Sequence, residues 1–103
     1  MAPGHVHLTA VFYPKADKFD EVAAAVTELT KKVEATEPDV LTYYAFRTEK
    51  EIVFVETYKT LEAHEAHTKT EHFQSTVGKI SPLLEKPLEI KQGSFISGFE
   101  HRD

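Results

Sequence analysis

The sequence contains no cysteine, and this absence removes a whole class of chemistry. A chain without cysteine forms no disulfide, carries no thiolate nucleophile and offers no thiolate to a metal ion. The sequence also has neither a G-x-G-x-x-G motif nor a P-loop, the glycine-rich patterns typical of nucleotide cofactor sites. We therefore expect any chemistry to depend on histidine, acidic and aromatic side chains, and we expect no cofactor.

Long apolar runs and an excess of basic residues are also missing. No stretch approaches the roughly 20 apolar residues that span a bilayer. The opening M-A-P-G-H-V-H-L lacks the basic and apolar segments of a signal peptide. The net charge of −5 disfavours nucleic acid or an anionic membrane as the main partner. The sequence predicts a cytoplasmic protein whose partner is a small molecule, with no membrane and no nucleic-acid partner.

The composition is sufficient for one folded domain. Of the 103 residues, 41% are hydrophobic and 28% are charged, a balance typical of a globular core rather than of a disordered chain. We expect a single domain over residues 1–103, with its core between residues 5 and 99. A domain of this size buries only about 60–65% of its unfolded surface, which leaves little room for both a core and a cavity. Association into a homodimer would supply the missing burial.

Four segments have the alternating pattern or the composition of β-strands, at residues 5–13, 40–47, 52–58 and 88–99. The short polar turn T-E-K-E separates the second and third segments, which predicts an antiparallel hairpin. Both faces of the 52–58 segment are largely apolar. One face should therefore meet the helices and the other a second sheet, which is a further argument for a homodimer.

Two regions have helical periodicity. The first is predicted to be capped by Asp17 and has one apolar stripe, formed by Phe19, Val22, Val26, Leu29 and Val33. In the second region, Thr60 and Thr70 are the predicted N-caps, and Pro82 should end or kink the helix. The resulting order β-α-β-β-α-β is the ferredoxin-like plan of the α+β class, with an antiparallel sheet and both helical regions on one face.

Three of the six histidines, His64, His67 and His72, fall within nine residues, where the third strand hands over to the helices. Histidine titrates near neutral pH, so this cluster predicts a small-molecule site. His67 is the strongest catalytic candidate, as a general base or a proton shuttle; otherwise it is a histidine bonded to backbone at a helix end. His72 should be neutral near its helix N-terminus and is a second candidate; otherwise it has a structural role, linking the helix to a neighbouring strand. His64 is predicted to face solvent, and we expect no metal site.

Glu56 is a carboxylate within an otherwise apolar strand face. If it is buried, it needs a partner, and the sequence offers Arg47 across the hairpin or one of the histidines. In the first case Glu56 belongs to a structural ion pair; in the second it orients His67 or His72 and completes a catalytic set.

The aromatic residues are first of all candidates for the core and the dimer interface, and some should line a flat cavity for an aromatic ligand. The candidate substrate-binding residues are Tyr43, Phe46, Phe54, Tyr58, Phe73 and His7, the last of which could reach the mouth of the cavity.

Several short motifs carry a family resemblance. They are V-L-T-Y-Y at 40–44, E-T-Y at 56–58, T-E-H-F at 70–73 and P-L-L-x-x-P at 82–87. In this order the chain resembles, over residues 7–99, the antibiotic biosynthesis monooxygenase (ABM) domains of the dimeric α/β-barrel superfamily. The resemblance implies a homodimer whose sheets pack face to face as a barrel, with a cavity between sheet and helices in each monomer.

The family resemblance implies several activities. Members include cofactor-free oxygenases of quinols and polyphenolic polyketides, haem-degrading proteins and isomerase-like proteins. The chain has no tryptophan, whereas the haem-degrading branch places one at the position of His67, and Thr9 and Ala10 stand where an asparagine is expected. Haem degradation is therefore disfavoured. The preferred function is a cofactor-independent monooxygenase acting on a quinol or polyphenolic polyketide.

Two other functions stay open. One is an isomerase or cyclase of a small carbonyl metabolite, since residues 58–73 also resemble the branch that processes phospho-autoinducer-2. The other is a non-catalytic dimer that binds a small molecule.

Overall fold

Four antiparallel strands form the sheet of the computed structural model, which describes residues 2–102. Met1 and Asp103, which the predicted domain includes, lie outside the described residues. The strands are β1 (Val6–Phe12), β2 (Val40–Arg47), β3 (Ile52–Tyr58) and β4 (Glu89–Gly93). Their order across the sheet is β2-β3-β1-β4, with β1 and β3 in the centre. The predicted α+β class and antiparallel sheet are confirmed.

Three α-helices complete the fold: α1 (Phe19–Thr36), α2 (Leu61–Thr68) and α3 (Glu71–Ile80). Short 3-10 turns at Ala16–Lys18 and Ser81–Leu83 precede α1 and follow α3. Pro82 lies in the second turn, where the sequence predicts the end of the helix. Within residues 2–102, no helix combines the length and apolar character needed to cross a membrane.

The N-caps of the second helical region are confirmed. The Thr60 side chain accepts a hydrogen bond from the N–H of Ala63 at 3.0 Å, and Thr70 accepts one from Phe73 at 3.2 Å. The prediction that Asp17 caps α1 is wrong. Asp17 lies inside the preceding 3-10 turn, and the residue before α1 makes no side-chain cap bond. The residue before α1 is Lys18, whose backbone lacks the extended conformation that is typical of an N-cap.

The core lies between the helices and one face of the sheet, which we call the inner face. Its strand residues are Leu8, Ala10, Phe12, Ile52 and Phe54. The predicted stripe of α1 packs on them, with Val22 fully buried and Phe19 at the periphery. From α3, Ile80 adds a buried side chain. Burial of such side chains provides most of the driving force for folding.

The last strand is shorter than the predicted 88–99. It pairs only with β1, from the pair Val11–Glu89 to the pair His7–Gly93. Because His7 pairs with Gly93 and β1 begins one residue earlier, at Val6, the ladder can extend by no more than one further pair. Residues 94–102 form no helix or strand.

The opposite face of the sheet, the outer face, carries the alternate side chains of the strands. Val53, Val55 and Thr57 of β3 are half-buried there, whereas Glu56 and its inner-face neighbours are buried. Tyr44 and Phe46 of β2 are about half exposed on the same outer face. No helix covers this surface in the described part of the chain.

Candidate functional site

A cavity of about 140 Å³ lies between the inner face and helices α1, α2 and α3. Most of its wall is apolar, and one carboxyl group, that of Glu56, and two imidazoles, those of His64 and His67, also line it. A mainly apolar cavity with a few polar groups is the usual form of a small-molecule site. The cavity therefore defines the candidate site.

His67 is the most deeply buried of these groups, with 1% of its surface exposed. The Thr60 cap starts α2 two turns earlier and places His67 on the face that packs against the sheet. Its Nδ1 lies 3.0 and 3.2 Å from the two carboxylate oxygens of Glu37. Its Nε2 is buried and finds no hydrogen-bond partner within residues 2–102. The ring is thus held at one nitrogen, and the other makes no hydrogen bond within the described residues.

Glu37 connects the three helices. It follows the last residue of α1, where its N–H donates to the carbonyl of Val33 at 2.9 Å. Oε2 of its carboxylate lies 2.6 Å from Nε2 of His72, so the carboxylate bridges two imidazoles. Its side chain is 12% exposed and that of His72 is 19% exposed. The acidic group, rather than either histidine, is the centre of this cluster.

The junction between α2 and α3 is fixed independently of Glu37. The Thr70 hydroxyl donates to the carbonyl of His67 at 2.8 Å, and the Thr70 N–H donates to the same oxygen at 3.2 Å. Because Thr70 also caps α3, one residue sets the relative positions of His67 and His72.

Burial determines the charge state of His67. It lowers the pKa of His67 because the imidazolium loses its hydration, and the charge and hydrogen bond of Glu37 oppose this shift. The neutral ring therefore prevails at neutral pH, with Nδ1–H donated to Glu37 and a lone pair on Nε2. This is the protonation state of a general base.

Glu56 has a different partner from either of those proposed from the sequence. The Tyr58 hydroxyl donates to its Oε1 at 2.5 Å, whereas the guanidinium of Arg47 lies 4.0 Å above the ring of Phe19. Arg47 is too far away because it pairs with Ile52, at the opposite end of β3. Burial raises the pKa of Glu56 to about 7, and the bond from Tyr58 partly opposes the shift. Glu56 thus exchanges protons near neutral pH.

The prediction that His64 faces solvent is wrong. Its ring is half-buried, lies 4.8 Å from that of Tyr58 in an edge-on contact, and lines the cavity. Residues three apart on a helix share a face, so the face that buries His67 also turns His64 inward. Burial also lowers the pKa of His64.

The predicted substrate-binding residues divide between the two faces of the sheet. Tyr43, Phe54 and Phe73 line the cavity. Tyr58 is fully buried and touches the site through His67 and Glu56. Phe46 pairs with Val53 and His7 pairs with Thr57, so both lie on the outer face. Their alternation with Ala45 and Leu8 points them away from the cavity, so the expectation that His7 reaches its mouth is wrong.

Glu37 is the site residue that sequence reasoning missed. Its only local signal is an acidic residue between the end of a helical stripe and Pro38. Among the described residues, no group of three or more histidine and acidic side chains is arranged to hold a metal ion. His67 Nδ1 and His72 Nε2 instead face the carboxylate between them.

The family of the chain follows from its sequence as well as its fold. The family model for antibiotic biosynthesis monooxygenases matches residues 5–79. The chain belongs to this family. Membership supports a general monooxygenase-like function and agrees with the sheet and helices described above. No curated protein matches the chain.

Solved structures share this ABM fold. A Caulobacter crescentus protein, named as a candidate antibiotic biosynthesis monooxygenase, is 22% identical with a TM-score of 0.87, over 91% of this chain and 92% of its own. A Mycobacterium tuberculosis protein is 18% identical with a TM-score of 0.86, over 93% and 99%. A Bacteroides thetaiotaomicron protein of unknown function, described as a possible oxidoreductase, is 25% identical with a TM-score of 0.82, over 91% and 100%.

Proposed function

We propose that this ABM protein is a cofactor-independent monooxygenase that oxidises a quinol or polyphenolic small molecule, with His67 as the general base. One observation carries the proposal. His67 is anchored at Nδ1 by Glu37, while its buried Nε2 has no partner among residues 2–102, and the ring lines the cavity. A neutral imidazole held in this way is ready to accept a proton from a bound hydroxyl group.

The chemistry needs only the substrate and O2. Nε2 of His67 removes a phenolic proton, and the resulting anion is electron-rich enough to reduce O2. One oxygen atom then forms a bond to a ring carbon and the other leaves as water, so a quinol plus O2 gives a hydroxyquinone plus water. The substrate supplies all the electrons. The Glu37 carboxylate stabilises the imidazolium that forms on His67.

The other candidate residues have supporting roles. Glu56, with a pKa of about 7, can accept a hydrogen bond from a second hydroxyl group or return a proton to the product. His72 holds the second oxygen of Glu37 and acts as a positioning residue. Tyr43, Phe54 and Phe73 form the walls against which an aromatic ring packs.

A homodimer is part of the same proposal. The outer face exposes Tyr44 and Phe46 beside half-buried valines of β3. A second copy packing its own outer face there would bury this apolar surface, as in two stacked sheets. The single domain over residues 1–103 then forms one half of the barrel.

The test is oxygen consumption by metal-free protein with a panel of quinols and hydroxylated anthrones. Because His67→Ala leaves a hole in a buried site, we pair it with His67→Asn. Its side-chain amide can still donate to Glu37 but has no basic nitrogen. We expect both variants to lower kcat by about 10²- to 10⁴-fold. The matched control is His5→Ala, at a histidine outside the cavity.

Three outcomes contradict the proposal. Oxygen uptake that persists in folded His67→Asn would exclude His67 as the base. Substrate turnover at the same rate without O2 would identify an isomerase or cyclase of a small carbonyl metabolite. Ligand binding that survives His67→Asn within a few-fold, with no turnover of any compound, would identify a non-catalytic binding dimer.

A further inference from the structure

We infer that the cavity selects a single aromatic ring with two adjacent hydroxyl groups, that is, a catechol, in preference to a para-hydroquinone or a fused polycyclic phenol. The inference rests on the proposed function for the chemistry, but it concerns binding and can be tested separately. Three observations support it: the size of the cavity, the grouping of its polar side chains and the position of its opening.

The size of the cavity limits the ligand to one ring. Its volume is about 140 Å³. An apolar cavity of roughly 150 Å³ holds benzene. A fused three-ring phenol is much larger and would have to displace side chains of the buried core, such as Phe54 and Ile80, which costs free energy in a close-packed interior. A one-ring compound requires much less rearrangement.

The polar groups of the cavity converge at one end. Tyr58 links them: its hydroxyl donates to Glu56 at 2.5 Å, and its ring centroid lies 5.5 Å from that of His67. Tyr43 pairs with Glu56 across the sheet, and its ring lies 5.1 Å from His67. Glu56 and His67 therefore flank the same residue, Tyr58, one at its hydroxyl group and the other at its ring. Two hydroxyl groups on neighbouring ring carbons lie on one side of a ligand, so both can turn toward the groups around Tyr58.

The other end of the cavity offers apolar side chains. Phe12 lies four residue pairs along the sheet from Glu56, and Ile80 lies two turns along α3 from Phe73, which contacts His67. Leu88 and Val26 also line the cavity, and the hydroxyl group of Thr76, another lining residue, already donates to the carbonyl of His72 at 2.7 Å. The para hydroxyl of a hydroquinone would be buried among these groups. A buried hydroxyl without a partner weakens binding by about 10-fold or more.

The cavity opens beside β4. Ile90 pairs with Ala10 and so projects from the inner face, where it lines the cavity, yet it is 59% exposed. Solvent therefore reaches the cavity wall at this edge strand. A ring that enters past Ile90 can turn its hydroxylated edge toward Glu56 and His67 and leave its apolar edge near Leu88.

The experiment compares two isomers of the same formula, 4-methylcatechol and methylhydroquinone, by calorimetric titration of the full chain without O2. Dithranol, a three-ring hydroxylated anthrone, tests the size limit. We expect the catechol to bind at least 10-fold more tightly than the hydroquinone, and dithranol to bind more weakly than the catechol. In Glu56→Gln, we expect the preference between the isomers to fall toward unity. Exposed Glu62→Gln is the matched control and should keep it.

The outcomes separate this inference from the proposed function. Equal or tighter binding of methylhydroquinone, or tight binding of dithranol, overturns the catechol preference even if O2 is consumed. A clear catechol preference without O2 uptake supports the inference and contradicts the oxygenase. Should Glu56→Gln unfold, Val77→Phe, which reduces the cavity volume at α3, provides the second variant. It should weaken binding of the catechol, and unchanged affinity in the folded variant would contradict binding in the cavity.

Discussion

His67 on the inner side of the sheet and His7 on the outer face make an instructive pair. Each has a buried Nε2 with no hydrogen-bond partner in residues 2–102. Nδ1 of His67 faces the carboxylate of Glu37 at 3.0 Å, whereas Nδ1 of His7 lies 3.3 Å from the neutral hydroxyl of Thr57. Only the carboxylate can stabilise a proton gained at the far nitrogen. A buried imidazole nitrogen without a partner is therefore not sufficient to make a general base. The group bonded to the other ring nitrogen must also stabilise the imidazolium.

The two faces of the sheet differ in the same way. The inner face combines a cavity with titratable groups, and burial shifts the pKa of Glu56 and of His67 away from their usual values. The outer face is mostly uncharged and exposes Tyr44 and Phe46. Chemistry is therefore expected on one face and association on the other. Three predictions test this division between the two faces, from the largest expected effect to the smallest.

The largest expected effect concerns Glu56 and pH. Its folded pKa of about 7 lies above the ordinary 4.5, so the folded state binds the extra proton between these values. The contribution of this proton to the free energy of unfolding is fully present below pH 4.5 and is lost as the pH rises through 7. The loss amounts to about 3 kcal/mol at most. The side chain of Glu56→Gln does not titrate, so the unfolding free energy of this variant should not show this decrease with pH. Denaturant unfolding of both proteins from pH 4.5 to 8.5 measures it.

The control for this comparison is Glu62→Gln, at an exposed position in the first turn of α2. Because the pKa of His67 is lowered, its contribution to the unfolding free energy increases with pH. His67 is present in the wild type and in both variants, so this contribution cancels when their unfolding free energies are subtracted. A difference in unfolding free energy between wild type and Glu56→Gln that stays constant with pH would contradict a raised pKa of Glu56.

The next effect concerns Glu37→Gln. The amide keeps the shape of the bridge but removes its charge, so His67 should lose orientation and its pKa should fall further. We expect oxygen uptake to drop by about 10- to 100-fold, the scale of a misplaced catalytic group. The acid limb of the kcat/KM profile should move to lower pH, which a purely structural defect would not cause.

Glu34→Gln, at an exposed position one turn earlier in α1, is the matched control for Glu37→Gln. An unchanged acid limb in folded Glu37→Gln would show that the carboxylate does not act through His67.

The smallest expected effect concerns the outer face. Phe46→Glu places a charge on the proposed dimer interface, where two copies would have to bury it. We expect the dimer dissociation constant to rise by about 10-fold or more, with the monomer fold intact, as sedimentation velocity and circular dichroism would show. Gln74→Glu on exposed α3 should leave association unchanged. A monomeric wild-type protein at all concentrations would contradict the dimer.

Local pattern was enough to predict much of this fold. The bounds of β2 and β3 follow from β-forming residues on either side of a polar turn. The caps Thr60 and Thr70 follow from hydroxyl residues placed just before helical segments. Asp17, whose carboxylate is also favoured at N-caps, failed as a cap because it lies inside a 3-10 turn. A cap motif therefore depends on the conformation of the preceding residues.

The sequence by itself determined the element order, the inner stripe of α1 and the position of the histidine cluster, because alternation and helical periodicity are local properties of the backbone. Only the tertiary structure decided which carboxylate supports His67. Glu37 lies 30 residues away from it and 35 from His72, and their contact depends on how α1, α2 and α3 pack together. Glu56, nearer in sequence, turns to Tyr58 instead. Side-chain partners across packed elements depend on this three-dimensional arrangement, which no local spacing encodes.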